Sequence, residues 1–135
     1  MSGDRRIDVV AALIEDSCGR ILLDRRPPGR PMAGFWEFPG GKCATGERPE
    51  ETLARELREE LGIRVIAAQP FMRLDHAYPD LRVSLDIWRV SSYAGTPAAR
   101  EGQELRWVAK GELRAVDLLA ADRPIVERLL QDAVP

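Results

Sequence analysis

The segment from Gly41 to Ile63, GKCATGERPEETLARELREELGI, constrains this chain more than any other. A glycine-led turn is followed by Pro49, which suits the first turn of a helix, and by Gly62, which suits the position just past a helix end. Between them Leu53, Leu57 and Leu61 recur every fourth residue, an apolar stripe that has to face a core. On an adjacent face, at about 100° per residue, Glu56, Glu59 and Glu60 crowd within roughly 100° of one another. Arg58 points away from that face and Arg55 lies to its side, so no basic residue on the face neutralises all three. Such a cluster repels itself unless a cation sits in it. Oxygen-only ligation suits a hard ion such as Mg²⁺, which usually links a protein's carboxylates to substrate phosphates. The pattern predicts metal-dependent phosphate chemistry. Taken alone, the helix also reads as a solvated surface element in which Glu51, Arg55 and Glu59, four apart, pair weakly.

The surrounding residues separate the two readings. Gly41, Glu47, Arg55, Glu56, Leu57, Glu59, Glu60, Gly62 and Ile63 stand at the offsets glycine, five residues, glutamate, seven residues, Arg-Glu, aliphatic, any residue, Glu-Glu, any residue, glycine, aliphatic. In this the chain resembles the Nudix hydrolases, whose box has that spacing. The stretch GFWEFPGGK, Gly34 to Lys42, is similar to the approach to the box in the MutT branch, whose members remove oxidised guanine nucleotides. Glu101 within REGQELRW and Asp122 within AADRPI match positions used in that branch, so the resemblance covers nearly the whole chain.

The resemblance implies a compact α/β/α sandwich with a mixed sheet, class α/β. It also implies hydrolysis of a nucleoside triphosphate to monophosphate and pyrophosphate. By position in the motif, Glu59 and Glu60 are the metal ligands, helped by the Gly40 carbonyl and Glu101, and the metal is Mg²⁺ or Mn²⁺. Glu56 is the base or a second ligand, two roles that sequence does not separate. Arg55 orients the glutamates, because an arginine fork holds two carboxylate oxygens in fixed geometry. Glu47 either serves the metal or complements the dipole at the helix entrance. Substrate contacts are expected from Arg26 at a strand end, from Glu37, Phe38, Pro39 and Gly40 before the box, from Lys42, and from Asp122 at the base.

Asp122 departs from the best-studied MutT pattern, which has asparagine there. An ionised aspartate only accepts hydrogen bonds. It can take N7–H of an oxidised guanine or the N4 amine of cytosine, but it repels guanine O6. Its structural alternative is an N-cap for a last helix. The substrate expectation is an oxidised purine such as 8-oxo-dGTP, serving nucleotide-pool sanitation. The alternatives are CTP or a broad range of nucleotides, and a non-catalytic nucleotide-sensing module. The last would be marked by loss of the box glutamates, all of which are present. Tyr78 and Pro79 lie where some Nudix branches that act on ADP-ribose carry such residues, but Pro is expected in turns anyway.

With 135 residues the chain fits one domain, 1–135. A net charge of -2 argues against a nucleic acid duplex as partner and favours a free nucleotide. No apolar stretch approaches the roughly 20 residues that span a bilayer, and MSGDRRIDVV lacks the pattern of a secretory signal, so a cytoplasmic location is expected, and the expected state is a monomer. Cys18 and Cys43 lack metal-ligand spacing and read as free thiols. His76 reads as a solvated loop residue, and Trp36 and Trp88 as core.

Ile7–Ile14 reads as a buried strand and Ile21–Leu23 as its hairpin partner across a turn at Asp16–Gly19. RRPPGRPMAG, Arg25 to Gly34, is a loop. Phe35–Phe38, Lys42–Ala44, Val65–Leu74, Leu81–Val90 and Glu104–Val108 are strands, and Pro124–Leu130 a closing helix.

Overall fold

The apolar run at the start of the chain becomes strand β1 (Arg6–Ile14), and both its faces are buried. Val10, Ala12 and Ile14 pack with helix α1 (Pro49–Leu61), while Ala11 and Leu13 pack on the opposite side with helix α2 (Arg123–Asp132). Two helical layers enclosing a strand explain why its sequence is continuously apolar rather than alternating. The computed structural model describes residues 5–132.

Five further strands and two short 3-10 turns complete the architecture around β2 (Arg20–Arg25). They are β3 (Trp36–Glu37), β4 (Gly40–Lys42), β5 (Arg64–Tyr78), β6 (Leu81–Ala94), β7 (Glu104–Ala109) and the turns Lys110–Ala115 and Ala120–Asp122. One sheet runs β4-β1-β6-β5 and the other β3-β2-β7. The first is mixed, with β1 and β6 parallel and Val10 opposite Asp86, whereas the β1–β4 and β5–β6 pairs are antiparallel. The expected α/β class with a mixed sheet is therefore present.

The expected β1–β2 hairpin does not form. After a single Glu15–Ile21 bridge and one bond from Asp16 N–H to the Arg20 carbonyl (2.9 Å), the strands separate into different sheets. β1 already has β6 along one edge, with β4 and the Pro39 carbonyl along the other, so β2 pairs instead with β3 and β7. Most other elements begin or end within a few residues of expectation. β5 and β6 are the exceptions and run on as a long ribbon with bulges between Val65 and Met72. The 3-10 turns were not anticipated, because such short pieces leave no periodic pattern.

Helix α1 follows its local signals. Pro49 is at its start, the Glu51 carboxylate accepts from Arg48 N–H (2.8 Å), and Gly62 closes it in a left-handed conformation at φ 71. Leu53, Leu57 and Leu61 are fully buried against β1 and β6. Those three leucines fix the rotation of the helix and turn the Glu56–Glu60 edge towards β4 and β2.

Candidate active site

Two glycines decide how closely helix and sheet approach. A side chain at Gly40 would overlap the Val10 carbonyl oxygen, so β4 lies against β1 only with glycine there. A side chain at Gly41 would overlap the Glu56 carboxylate, which rests directly on the strand. The Gly40–Gly41 pair is therefore a floor for the acidic edge of α1.

Arg55 organises the outer part of that edge. Its Nε and Nη2 grip Glu47 at 2.7 and 3.0 Å, Nη1 reaches Glu56 at 3.0 Å and Glu59 at 3.3 Å, and Nη2 also donates to the Lys42 carbonyl at 3.1 Å. Glu47 additionally accepts from Ala44 N–H and from the buried Thr52 hydroxyl. The Arg55 fork, then these donors, hold the Glu47 carboxyl down at about 2. Glu47 is thus fully committed, and Arg55 sets the geometry of three glutamates. It does not reach Glu60.

Glu60 turns inward and meets Asp24 of β2, a residue that sequence reasoning missed. Both are buried, at 8% and 4% exposure, and their carboxyls are in contact. Burial raises the Glu60 carboxyl far above its ordinary range, and the carboxyls of Asp24 and Glu56 raise it further. Burial, then the charge of Glu37, raises Asp24 as well. Asp24 stands opposite Glu37 in the β2–β3 ladder, and Arg26 bonds Glu37 through Nη1 at 3.1 and 3.3 Å. The result is a chain of acids, Glu56, Glu60, Asp24 and Glu37, with arginines only at its ends. The only hint of Asp24 in the sequence is a carboxylate interrupting an apolar strand.

The donor set fits a hard divalent cation. Desolvated carboxylates that repel one another gain most from a shared positive charge. Among the described residues no three His, Cys or acidic side chains are gathered so as to hold a metal ion by themselves. Such a cation commonly takes one or two protein carboxylates and completes its shell with water and substrate phosphate. Glu56 and Glu60 could supply that pair. Glu59 is half-exposed and engaged by Arg55, and Glu101 lies exposed on the loop before β7.

The remaining candidates fall in two places. Arg26 is tied to Glu37 and, through Nε, to the Pro31 carbonyl at 2.7 Å, which folds the Arg25–Gly34 loop back over the strand end. Lys42 is exposed at the end of β4. The Phe38 side chain lies in the α2-side core and Pro39 is buried, its carbonyl accepting from Ala12 N–H at 2.8 Å. Asp122 does not cap α2 with its side chain. It closes the second 3-10 turn, and its Oδ2 accepts from Phe38 N–H at 3.1 Å. Burial pushes its carboxyl up to about 8, with Glu37 and Asp24 adding to the rise against the Phe38 N–H.

Tyr78 extends to the same end from β5, where burial raises its phenol and the Ala121 backbone opposes that rise. His76 is on β5 rather than in a loop, edge-on to Tyr78 with ring centroids 4.5 Å apart, because β5 runs further than its apolar residues suggest. Trp36 and Trp88 are core residues, and Cys18 and Cys43 are free thiols. Gln103 was also missed. It is a buried loop glutamine for which the sequence offers no signal.

No helix among the described residues is long and apolar enough to cross a membrane. The NUDIX domain family pattern matches residues 9–128. The chain is 39% identical to an 8-oxo-dGTP diphosphatase of Haemophilus influenzae, over 93% of each chain. It is 38% identical to a CTP pyrophosphohydrolase of Escherichia coli, again over 93% of each. A solved MutT structure, from work on Aliivibrio salmonicida and Vibrio cholerae, superposes with a TM-score of 0.83 at 36% identity, covering 95% of this chain and 99% of the other. A glycine floor beneath an arginine-ordered glutamate helix, together with these likenesses, shows that the chain belongs to the Nudix family and is a Nudix hydrolase.

Proposed function

We propose that this enzyme hydrolyses a nucleoside triphosphate to monophosphate and pyrophosphate, with 8-oxo-dGTP as the preferred substrate. The observation that carries the chemistry is the inward turn of Glu60, beside the Glu56 carboxylate that rests on Gly41, into a buried and under-neutralised acidic chain. Glu56 and Glu60, with the Gly40 carbonyl, Glu59 and Glu101 around them, hold Mg²⁺, for which Mn²⁺ can substitute. When bound, the metal draws the phosphates to the helix and offsets the charge that develops on them. Arg55 acts as the orienting residue, fixing Glu56 and Glu59 relative to Glu47. Glu56 has one oxygen held by Arg55 while the group stays half-buried, so its other oxygen serves either the metal or, as base, the proton of attacking water.

At the other end Asp122, anchored by Phe38 N–H, faces the base. Held neutral by burial at neutral pH, it carries both a donor and an acceptor, as an asparagine would. That pattern suits O6 and N7–H of an oxidised guanine. The likeness to diphosphatases acting on 8-oxo-dGTP supports the same choice. CTP is the second reading, favoured by the likeness to a CTP pyrophosphohydrolase and by a carboxylate able to accept from the cytosine amine. Arg26 and Lys42 supply positive charge for the phosphates, Arg26 after exchanging Glu37 for substrate. The chain acts as one domain, as a monomer, on free nucleotides in the cytoplasm.

The test is kcat/KM for 8-oxo-dGTP, dGTP and CTP measured side by side with Mg²⁺, with products identified. A preference of about 100-fold or more for 8-oxo-dGTP over dGTP, with pyrophosphate released, is expected. Preference for CTP replaces the substrate while keeping the chemistry, and release of single phosphates overturns both.

A further inference from the structure

The acidic edge of α1 and the loop carrying Glu101 belong to different parts of the chain, and one buried side chain joins them. The last four carbonyls of a helix lack partners within it. In α1 those of Arg58, Glu60 and Leu61 are satisfied from outside the ladder. Gly62 N–H donates to Arg58 (3.0 Å), Ala98 N–H to Leu61 (3.0 Å), and Arg100 N–H to Glu60 (3.1 Å). The Glu60 carbonyl receives a second donor, Nε2 of Gln103, at 3.0 Å. The other end of the same amide, Oε1, accepts from Glu101 N–H at 2.9 Å. Gln103 is 7% exposed and immediately precedes β7. Gly102, at φ 75, makes the left-handed turn that folds Gln103 back under Glu101.

We propose that Gln103 is a positioning residue that sets the carboxylates of Glu60 and Glu101 at metal-binding distance from each other by clamping their backbones with a single amide. The inference rests on the reading above, in which both glutamates serve the metal. The chemistry of the clamp is specific. The Glu60 carbonyl requires a donor and the Glu101 N–H requires an acceptor, and a primary amide presents both from one rigid plane. Ionised glutamate at 103 keeps the acceptor and loses the donor, leaving its charge beside a carbonyl oxygen. Methionine fills nearly the same space and makes neither bond. Because β7 begins at the next residue, the clamp refers the loop to the sheet rather than leaving it free to swing from the end of α1. A buried polar group is costly unless bonded, and both ends of Gln103 are bonded to the two elements that carry candidate ligands.

The test is Mn²⁺ binding to the substrate-free enzyme, followed by electron paramagnetic resonance, for Gln103→Met, Gln103→Glu, Glu101→Gln and the Glu101→Gln/Gln103→Met double variant. Thermal unfolding is recorded alongside. Gln103→Asn, which keeps an amide on a shorter stem, replaces Gln103→Met if the latter fails to fold. The expected result is a rise in the Mn²⁺ dissociation constant of about 10-fold or more in Gln103→Met and Gln103→Glu, the scale typical of residues that orient ligands. In the Glu101→Gln background the same Gln103→Met change should cost about 3-fold or less, since one of the two ligands whose spacing it sets has gone. Weakened binding in Glu101→Gln with wild-type binding in Gln103→Met, whatever happens to thermal stability, overturns the inference alone. Wild-type binding in Glu101→Gln removes the ligand reading of Glu101 and the inference with it.

Discussion

Replacing Asp122 with asparagine should stabilise the enzyme in alkali and leave the difference much smaller in acid. Asp122 is 5% exposed, its carboxyl is raised from an ordinary 3.8 to about 8, and its Oδ2 accepts from Phe38 N–H at 3.1 Å. A raised acid binds its proton more tightly in the folded than in the unfolded chain. Its contribution to stability is therefore complete below pH 3.8 and is lost as pH rises towards about 8. The interval is about four units at about 1.4 kcal/mol each, so the ceiling on that loss is about 6 kcal/mol, of which about 4 kcal/mol falls between pH 5 and pH 8. Above pH 8 the ionised carboxylate also faces Glu37 and Asp24, which raise it by repulsion. Asparagine keeps the acceptor for Phe38 N–H and does not titrate.

The assay is urea unfolding of both proteins at pH 5 and pH 9. Groups remote from residue 122 titrate alike in the two proteins, so the difference between them reports Asp122 together with its repulsion by Glu37 and Asp24. The variant's advantage should grow by about 2 kcal/mol or more between pH 5 and pH 9, out of the about 4 kcal/mol that titrates within that window, local rearrangement around the charge taking up the remainder. An advantage that is constant with pH, or that falls towards pH 9, would refute the argument that Asp122 is held neutral.

Glu60→Gln should lower kcat by about 100-fold or more with Mg²⁺, without lowering the melting temperature, because it removes a metal charge while relieving repulsion from Asp24; steady-state kinetics and thermal unfolding check the two halves. Gly41→Ala should displace the Glu56 carboxylate and cut kcat/KM by about 10-fold or more, whereas Gly111→Ala, with open space around it, should leave activity unchanged. Leu57→Ala, at a fully buried position of the α1 stripe, should cost about 2–5 kcal/mol in urea unfolding.

The helix from Pro49 to Leu61 was legible from the chain alone, because its start, its stop, its apolar stripe and its acidic edge are all relations between residues a few positions apart. The same holds for the strand at Ile7–Ile14 and for the loop from Arg25 to Gly34, whose prolines and glycines exclude regular structure locally. The box spacing likewise marked Glu56, Glu59 and Glu60 as a group with Arg55 beside them, and Arg55 bonds two of the three, Glu56 and Glu59. Tertiary structure decided the rest. The sheet that β2 joins depended on β4 and β6 taking both edges of β1, and no local pattern states how many partners a strand has. Asp24 became a neighbour of Glu60 only because that pairing carried β2 beneath the end of α1. Asp122 found Phe38 N–H across 84 positions of sequence, and Gln103 found the Glu60 carbonyl across 43. Side chains that bond between elements are fixed by where the backbones of those elements come to lie, which is a property of the packed sheets and not of any one segment.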